Sequence, residues 1–265
     1  IALTFEILGS LILALRWHTD MGWSQAFYYA LFHSVSAFNN AGFTLWSDSL
    51  STFVGDPVVN VTILLLFAIG GLGYIVIVDL VRKRSWKKLS LHSKVVLMAS
   101  AILTVFGFLM LMLLEVWNPA TFGQLSGNER LYAALFQGAT PRSAGFNTID
   151  IGSMLTASQF LIIILMFIGA ASGSTGGGMK VNTLSVLVLA TINTFRGGGQ
   201  VHAFERKIAQ ETIMRALAVV MSSLTAVLVI ALLLTISEGL LEDRFLEILF
   251  EATSAFSTTG LSMGL

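Results

Sequence analysis

Four stretches of the chain, 58–81, 95–114, 160–195 and 213–236, are almost uncharged, and each reaches the ~20 residues needed to cross a ~30 Å hydrocarbon layer. No other feature limits the fold as strongly. A backbone in lipid has to satisfy its own polar groups, so these stretches are expected to be helices. A further apolar stretch, 1–15, opens the chain. Composition agrees: 55% of residues are hydrophobic and 11% charged, against about a quarter charged in soluble domains. The expectation is an all-α, multi-pass integral membrane protein. Ile1 already lies in an apolar run, and "STTGLSMGL" closes the chain with no span after it. Both ends therefore read as cut, a piece of a longer chain with no leader to read.

Basic residues give the sidedness. Segment 82–94 holds six lysines and arginines and segment 196–215 four more, together ten of the fifteen in the chain. The positive-inside rule places both in the cytoplasm. Loops 43–56 and 116–128 are then external. Between the spans lie three shorter, more aromatic segments, "SQAFYYALFHSVSAF", "NERLYAALFQGAT" and "DRFLEILFEATSAF". They are too short or too polar to cross, and are expected to re-enter the membrane from outside.

These segments repeat. Each carries a Leu-Phe pair (31/32, 135/136, 249/250) followed by a glycine at 42, 145 or 260. From Phe to Gly the steps are ten, nine and ten residues, so the middle copy is one residue short and its register is open. Repeated membrane units are a signature of transport proteins. Non-helical backbone at membrane depth is tolerated where it lines a water-filled path or is buried in protein. Its carbonyls can replace the hydration shell of a cation. Glycine permits the dihedrals that aim successive carbonyls the same way. None of "NAGF", "SAGF" or "TTGL" contains a carboxylate, which argues against a divalent cation and for a monovalent one.

At these residues the chain resembles a known family. "SAFNNAGF", "PRSAGFNTID" and "STTGLS" resemble the second, third and fourth filter segments of the Trk/Ktr/HKT superfamily of potassium transporters, and "SGSTGGGMK" resembles the broken second helix of its third repeat. "FHSVSAFNNAGF" is closest to the Ktr-type membrane subunit. The resemblance implies repeated helix–pore-helix–helix units around a central pore, pseudo-four-fold in intact members. It implies three units here: 1–88, 89–206 with the broken second helix, and a truncated 207–265. The first repeat and the last helix are not represented. The filter residues would be Asn40, Ala41, Gly42 and Phe43; Ser143, Ala144, Gly145 and Phe146; and Thr258, Thr259, Gly260 and Leu261. They would bind only a monovalent ion, K⁺, with Na⁺ as a further candidate. A homodimer in the plasma (inner) membrane and a cytosolic nucleotide-binding regulatory ring are implied in the same way.

The run 160–195 is interrupted by "GAASGSTGGGMK", residues 169–180. A phosphate loop needs Gly-Lys-Ser/Thr between a strand and a helix. Here Gly178 is followed by Met179, Lys180 and Val181 inside membrane helix, so that reading fails. Two readings stay open: a helix break, and a gate. As a gate, Ser172, Gly173, Ser174, Thr175, Gly176, Gly177, Gly178 and Lys180 would form a movable plug beneath the filter, which is what the resemblance implies.

The remaining charges divide. Lys180 is either functional at membrane depth or reaches toward water. Glu6 is expected to pair with a group from the missing repeat, and Arg142 with an acid such as Glu251. Asp79 is expected to be solvated among Arg82–Arg84. The basic segment 82–94 can meet anionic lipid or a regulatory subunit, or act as a topology signal alone. Without cysteine, and with four histidines at no ligand spacing, a thiolate or histidine metal site is not expected. With no Ser-His-Asp set either, the chain reads as no enzyme, with no covalent or organic cofactor and no nucleic-acid partner. The function expected is K⁺ uptake through a carbonyl-lined filter. The alternative is a secondary transporter for another cation or solute, disfavoured because the repeats share one sidedness.

Overall fold

The computed structural model describes residues 2–197, 201–204, 206–237 and 244–264. Ten α-helices and one short antiparallel hairpin make up its regular elements. The first unit begins with α1 (Ala2–Met21), α2 (Trp23–Phe38) and α3 (Pro57–Leu72), which pack on one another. Asp56 starts α3: its carboxylate accepts from Val58 N at 2.9 Å and Val59 N at 3.1 Å, with Pro57 in the first helical position. Next come α4 (Tyr74–Lys83) and α5 (Leu91–Glu115). The short helix α6 (Gly127–Ala139) packs on α5. Then follow α7 (Thr156–Ile168) and α8 (Val181–Phe195). Finally α9 (Gln210–Ser237) lies against both α8 and α10 (Phe245–Phe256). The hairpin pairs His202–Ala203 with Arg206–Lys207, inside the segment expected to be a cytoplasmic loop; positions 198–200 and 205 of that segment lie outside the described residues.

Among the described residues two helices, α5 and α9, are long and apolar enough to cross a membrane, or three if a bent pair counts as one span. That pair corrects a sequence expectation. The run 58–81 is not one straight helix but α3 and α4, bent by 95° at Gly73. Gly73 has φ 87°, a left-handed conformation that ends an L-residue helix and that glycine adopts without strain. A tertiary bond holds the break: Tyr74 N donates to Gly173 O at 3.1 Å. The run 160–195 is broken as expected, into the short helices α7 and α8. The outward leucines of α9, Leu224, Leu228, Leu232 and Leu233, are exposed, as a lipid-facing helix requires.

Two acids are better satisfied than the sequence suggests. Asp79 is not a loose solvated charge. It accepts from Ser90 N at 2.8 Å and Ser93 Oγ at 2.7 Å, and it pairs with Lys83 at 2.6 Å, clasping α4 to the start of α5. Glu6 is buried, and Asn39 Nδ2, at the end of α2, donates to its Oε1 at 2.8 Å. An aromatic cluster of Trp17, Tyr29, His33, Trp46 and Phe53 packs behind the first glycine turn. His33 belongs to it structurally. Its Nδ1 faces Tyr29 O at 2.7 Å and its Nε2 faces Leu45 N at 3.3 Å, which requires the neutral ring protonated on Nδ1.

Candidate functional site

Each short helix α2, α6 and α10 runs into a turn built the same way three times. In the first turn Asn40 has φ 53° and Gly42 φ 72°. In the middle one Ser143 has φ 71° and Gly145 φ 82°, and in the last Thr258 has φ 50° and Gly260 φ 85°. Left-handed residues thus alternate with ordinary ones at i and i+2. A non-glycine residue held there is uncommon and needs outside support.

Hydrogen bonds supply that support, through residues the sequence analysis passed over. Ser36 Oγ donates to Phe43 O at 2.8 Å, Thr140 Oγ1 to Phe146 O at 2.6 Å, and Ser254 Oγ to Leu261 O at 2.6 Å. The carbonyl of the same hydroxyl residue accepts from inside the turn: Ala41 N to Ser36 O, Ala144 N to Thr140 O and Thr259 N to Ser254 O, all at 2.9 Å. A hydroxyl four residues after each Leu-Phe phenylalanine was the available signal. It also settles the register of the middle copy. Ser36 and Asn40, and Ser254 and Thr258, are four positions apart, whereas Thr140 and Ser143 are three apart. The missing residue lies between them, beside Pro141, and α6 accordingly stops at Ala139.

The three turns converge. A Cβ placed on Gly42 would lie 2.8 Å from Gly145 Cα, and one on Gly145 would run into the carbonyl oxygen of Thr259. Ser143 Oγ donates to Ser257 O at 3.2 Å, and Thr259 Oγ1 to Pro141 O at 3.4 Å. Among the described residues no hydrogen bond uses the carbonyl oxygens of Ala41, Gly42, Ala144, Gly145, Thr259 or Gly260. Ala144, Phe146, Thr259 and Leu261 are buried, while Phe43 is exposed. Phe43 borders an opening of about 500 Å³ between the first and last turns, with Ala41, Glu251, Ser254 and Gly260 on its walls.

Segment 169–180 lies directly against all three turns. Gly177 N donates to Ser143 Oγ at 2.7 Å. Thr175 Oγ1 donates to Phe38 O at 3.3 Å, and a Cβ on Gly177 would collide with Ser257 O. The segment is also stitched to α3, with Ala171 N donating to Gly71 O at 3.1 Å. Lys180 does not reach out to water: its Nζ donates back to Gly176 O at 2.5 Å, closing the segment on itself. Ser172 N meets Asn182 Oδ1 at 3.1 Å, and Ser174 Oγ meets Ala171 O at 2.6 Å.

One expected contact is absent. Arg142 and Glu251 do not pair. Glu251 Oε1 accepts from Ser262 Oγ at 2.7 Å and Met263 N at 2.8 Å, bracing the segment beyond the last turn. Arg142 points the other way, to Thr104 Oγ1 at 2.6 Å on α5.

A mainly helical membrane protein with a thrice-built glycine turn packed on a glycine-rich loop belongs, as a class, with proteins that pass ions. The chain is a member of the TrkH family, described as cation transport proteins, which it matches over residues 1–265. It is 43% identical over 264 residues to Ktr system potassium uptake protein B of Bacillus subtilis, covering 100% of this chain and 59% of that protein. It is 42% identical to the protein of the same name from Vibrio alginolyticus, covering 100% of this chain and 58% of that one. It is 36% identical to potassium/sodium uptake protein NtpJ of Enterococcus hirae, again 100% of this chain and 58% of the relative. Its fold matches the potassium transporter TrkH from Vibrio parahaemolyticus with a TM-score of 0.72 at 19% identity, over 97% of this chain and 60% of that one. The chain thus spans about 59% of the length of the first of these relatives. The family is one of multi-pass membrane transport proteins, not enzymes.

Proposed function

We propose that the protein containing this chain takes up K⁺, and that the three glycine turns form three sides of its selectivity filter. The observation that carries this reading is the convergence of three left-handed turns in which, among the described residues, the carbonyl oxygens of Ala41, Gly42, Ala144, Gly145, Thr259 and Gly260 take no part in the internal bonding. Such carbonyls are the chemistry that replaces the water around a dehydrated monovalent cation. The named activity of the uptake proteins it resembles supports the choice of K⁺, and the potassium/sodium relative supports Na⁺ as a second ion. In this reading 1–88, 89–206 and 207–265 are successive units. The opening between the first and last turns is where a fourth filter segment completes the ring. Ser172–Lys180 is the gate, because it touches every turn from one side and its glycines permit the dihedral changes that an opening needs. A homodimer and a cytosolic nucleotide-binding ring complete the assembly.

The test is ⁸⁶Rb⁺ uptake into vesicles holding the full-length protein, with unlabelled competitors. Competition by K⁺ well ahead of Na⁺ and Cs⁺ is expected. Uptake of Rb⁺ that unlabelled K⁺ does not reduce would overturn the reading.

A further inference from the structure

Arg142 sets the middle turn apart from its neighbours in charge. Counting from the hydroxyl residues, it occupies the position of Phe38 and Phe256. Those two phenylalanines fill their surroundings by stacking, Phe38 on Phe5 and Phe256 on Phe167, each with ring centroids 6.1 Å apart. In the middle copy an arginine and Thr104 stand in place of such a pair, and beside them lies a cavity of about 480 Å³. That size falls within the ~300–1,000 Å³ of small-molecule pockets.

The walls are apolar apart from one corner. Leu65, Phe67 and Leu72 of α3 face Leu97, Ala101 and Val105 of α5, and the polar members are Arg142, Ser100 and Thr104. Thr104 is already engaged: its hydroxyl donates to Ser100 O at 2.9 Å and accepts from Arg142 Nη2. Arg142 Nε is buried and has no hydrogen-bond partner, and among the described residues no acid forms an ion pair with this guanidinium. A permanently charged group in apolar surroundings calls for a counter-charge. Leu65 and Val105 at the rim are exposed on the outer faces of two membrane helices, so the cavity is reached from the bilayer.

We propose that this cavity binds a single-chain carboxylic amphiphile drawn from the membrane, with its carboxylate on Arg142 and its hydrocarbon tail between α3 and α5. An apolar groove ending in one unpaired guanidinium matches a molecule with an apolar body and one anionic end. A fatty acid is soluble in hydrocarbon as the neutral acid, so lateral access is open to it, and the proton it gives up on pairing with Arg142 passes to bulk water. A bare chloride would satisfy the charge and leave the apolar walls unfilled. The location gives the site consequence. Arg142 directly precedes the filter residue Ser143, and Gly71 and Ala170 of the α3–gate contact also line the cavity.

The experiment uses the full-length protein in phosphatidylcholine nanodiscs with a diazirine-bearing palmitate as probe. Photolabelling is expected on α3 and α5. Excess oleate should compete, and methyl oleate, which lacks the charge, should not. Arg142→Met should lower labelling at least fivefold, and Arg142→Lys should restore more than half of it. Ala101→Phe, which fills the cavity and leaves the arginine in place, should also lower it at least fivefold, so the outcome does not depend on one variant folding. Equal labelling of Arg142→Met and the parent, or equal competition by the methyl ester, overturns the proposal. So does a halide site at Arg142, seen with bromide, in a protein that takes no label.

Discussion

The middle glycine turn and its two flanking copies make the same shape from different material. In the flanks three residues connect the hydroxyl residue to the first left-handed residue, and a phenylalanine anchors the stretch. In the middle two residues, Pro141 and Arg142, make the connection. The alternating dihedrals, the hydroxyl tie and the return bond from the turn survive the deletion. Retained bonds mark what the turn requires: a fixed carbonyl on each side, leaving those between free. What changed marks where the middle copy does separate work. It sits between the other two turns, and its Ser143 alone among the left-handed residues accepts a backbone bond from the loop beneath.

The largest expected effect tests crowding. Gly145 is enclosed, since a Cβ there meets Thr259 O and lies 2.9 Å from Gly42 Cα, whereas the nearest atom to a Cβ on Gly260 is Ala41 O at 3.9 Å. Both glycines have positive φ, so alanine at either costs the strain of a left-handed residue, ~1–2 kcal/mol. Only Gly145→Ala adds displacement of backbone in two neighbouring turns. Expected is a more than tenfold loss of Rb⁺ uptake and of K⁺-over-Na⁺ competition for Gly145→Ala, and a loss of a few-fold for Gly260→Ala. Equal losses would show that the middle turn holds no special place.

The next concerns the loop. Removing Gly176–Gly178 deletes the donor to Ser143, the carbonyl that holds Lys180 and the carbonyl that accepts from Ala170 N, three bonds of roughly 1 kcal/mol each. As a gate, the shortened loop should raise transport several-fold and leave ion preference within about twofold. Lys180→Ala should act in the same direction, less strongly. Ser143→Ala should loosen the loop more than Thr175→Val, because its bond is 2.7 Å rather than 3.3 Å. Loss of transport in a folded, membrane-inserted deletion protein would make the loop a structural joint.

The hydroxyl ties come third. Thr140→Val leaves the carbonyl of Phe146 unsatisfied in a fully buried site, at a cost of about 1–3 kcal/mol. Ser36→Ala touches a turn whose Phe43 is exposed, so water can substitute and the cost should be below 1 kcal/mol. Thermal unfolding in detergent reads the difference. Equal shifts would remove the burial argument.

Much of this was legible in the sequence, for identifiable reasons. Apolar runs and short aromatic segments follow from the physics of lipid, and the glycines from the dihedrals they permit. The break at Gly73 was not legible. A glycine within an apolar run is tolerated in a membrane helix, and what ends α3 is a bond from Tyr74 to Gly173, a hundred residues away in the chain. The Arg142–Glu251 pairing failed because charge complementarity was read without direction: the side chain leaves the turn toward α5, and Glu251 is already occupied by Ser262 and Met263. Asp79 was misread because the amides and hydroxyls that hold it, at Ser90 and Ser93, look like ordinary loop chemistry until the loop folds back.

The smallest expected effect returns to the three helices that lead into the turns. α6 alone begins with a capping box, in which Ser126 N donates to Glu129 Oε2 at 2.7 Å and the Ser126 side chain accepts from the backbone of Glu129. Gly22 before α2 and Arg244 before α10 provide no side-chain cap. The backbone amide of Ser126, and next its hydroxyl, hold the Glu129 carboxyl below its ordinary range. A depressed carboxyl contributes stability that is fully present above the unfolded value, about 4.3, and is lost as pH falls through the folded one. The start of α6 should therefore loosen only in acid, and slightly, because the group is exposed. Amide exchange in 127–131 should quicken between pH 5 and pH 3 in the parent protein. In Glu129→Gln it should not change over that range beyond the intrinsic pH dependence, since the amide keeps the acceptor and loses the proton equilibrium. The matching amides of α2 and α10 should show no acid-dependent change of their own. If they loosen alongside α6, the cap does not distinguish the middle copy.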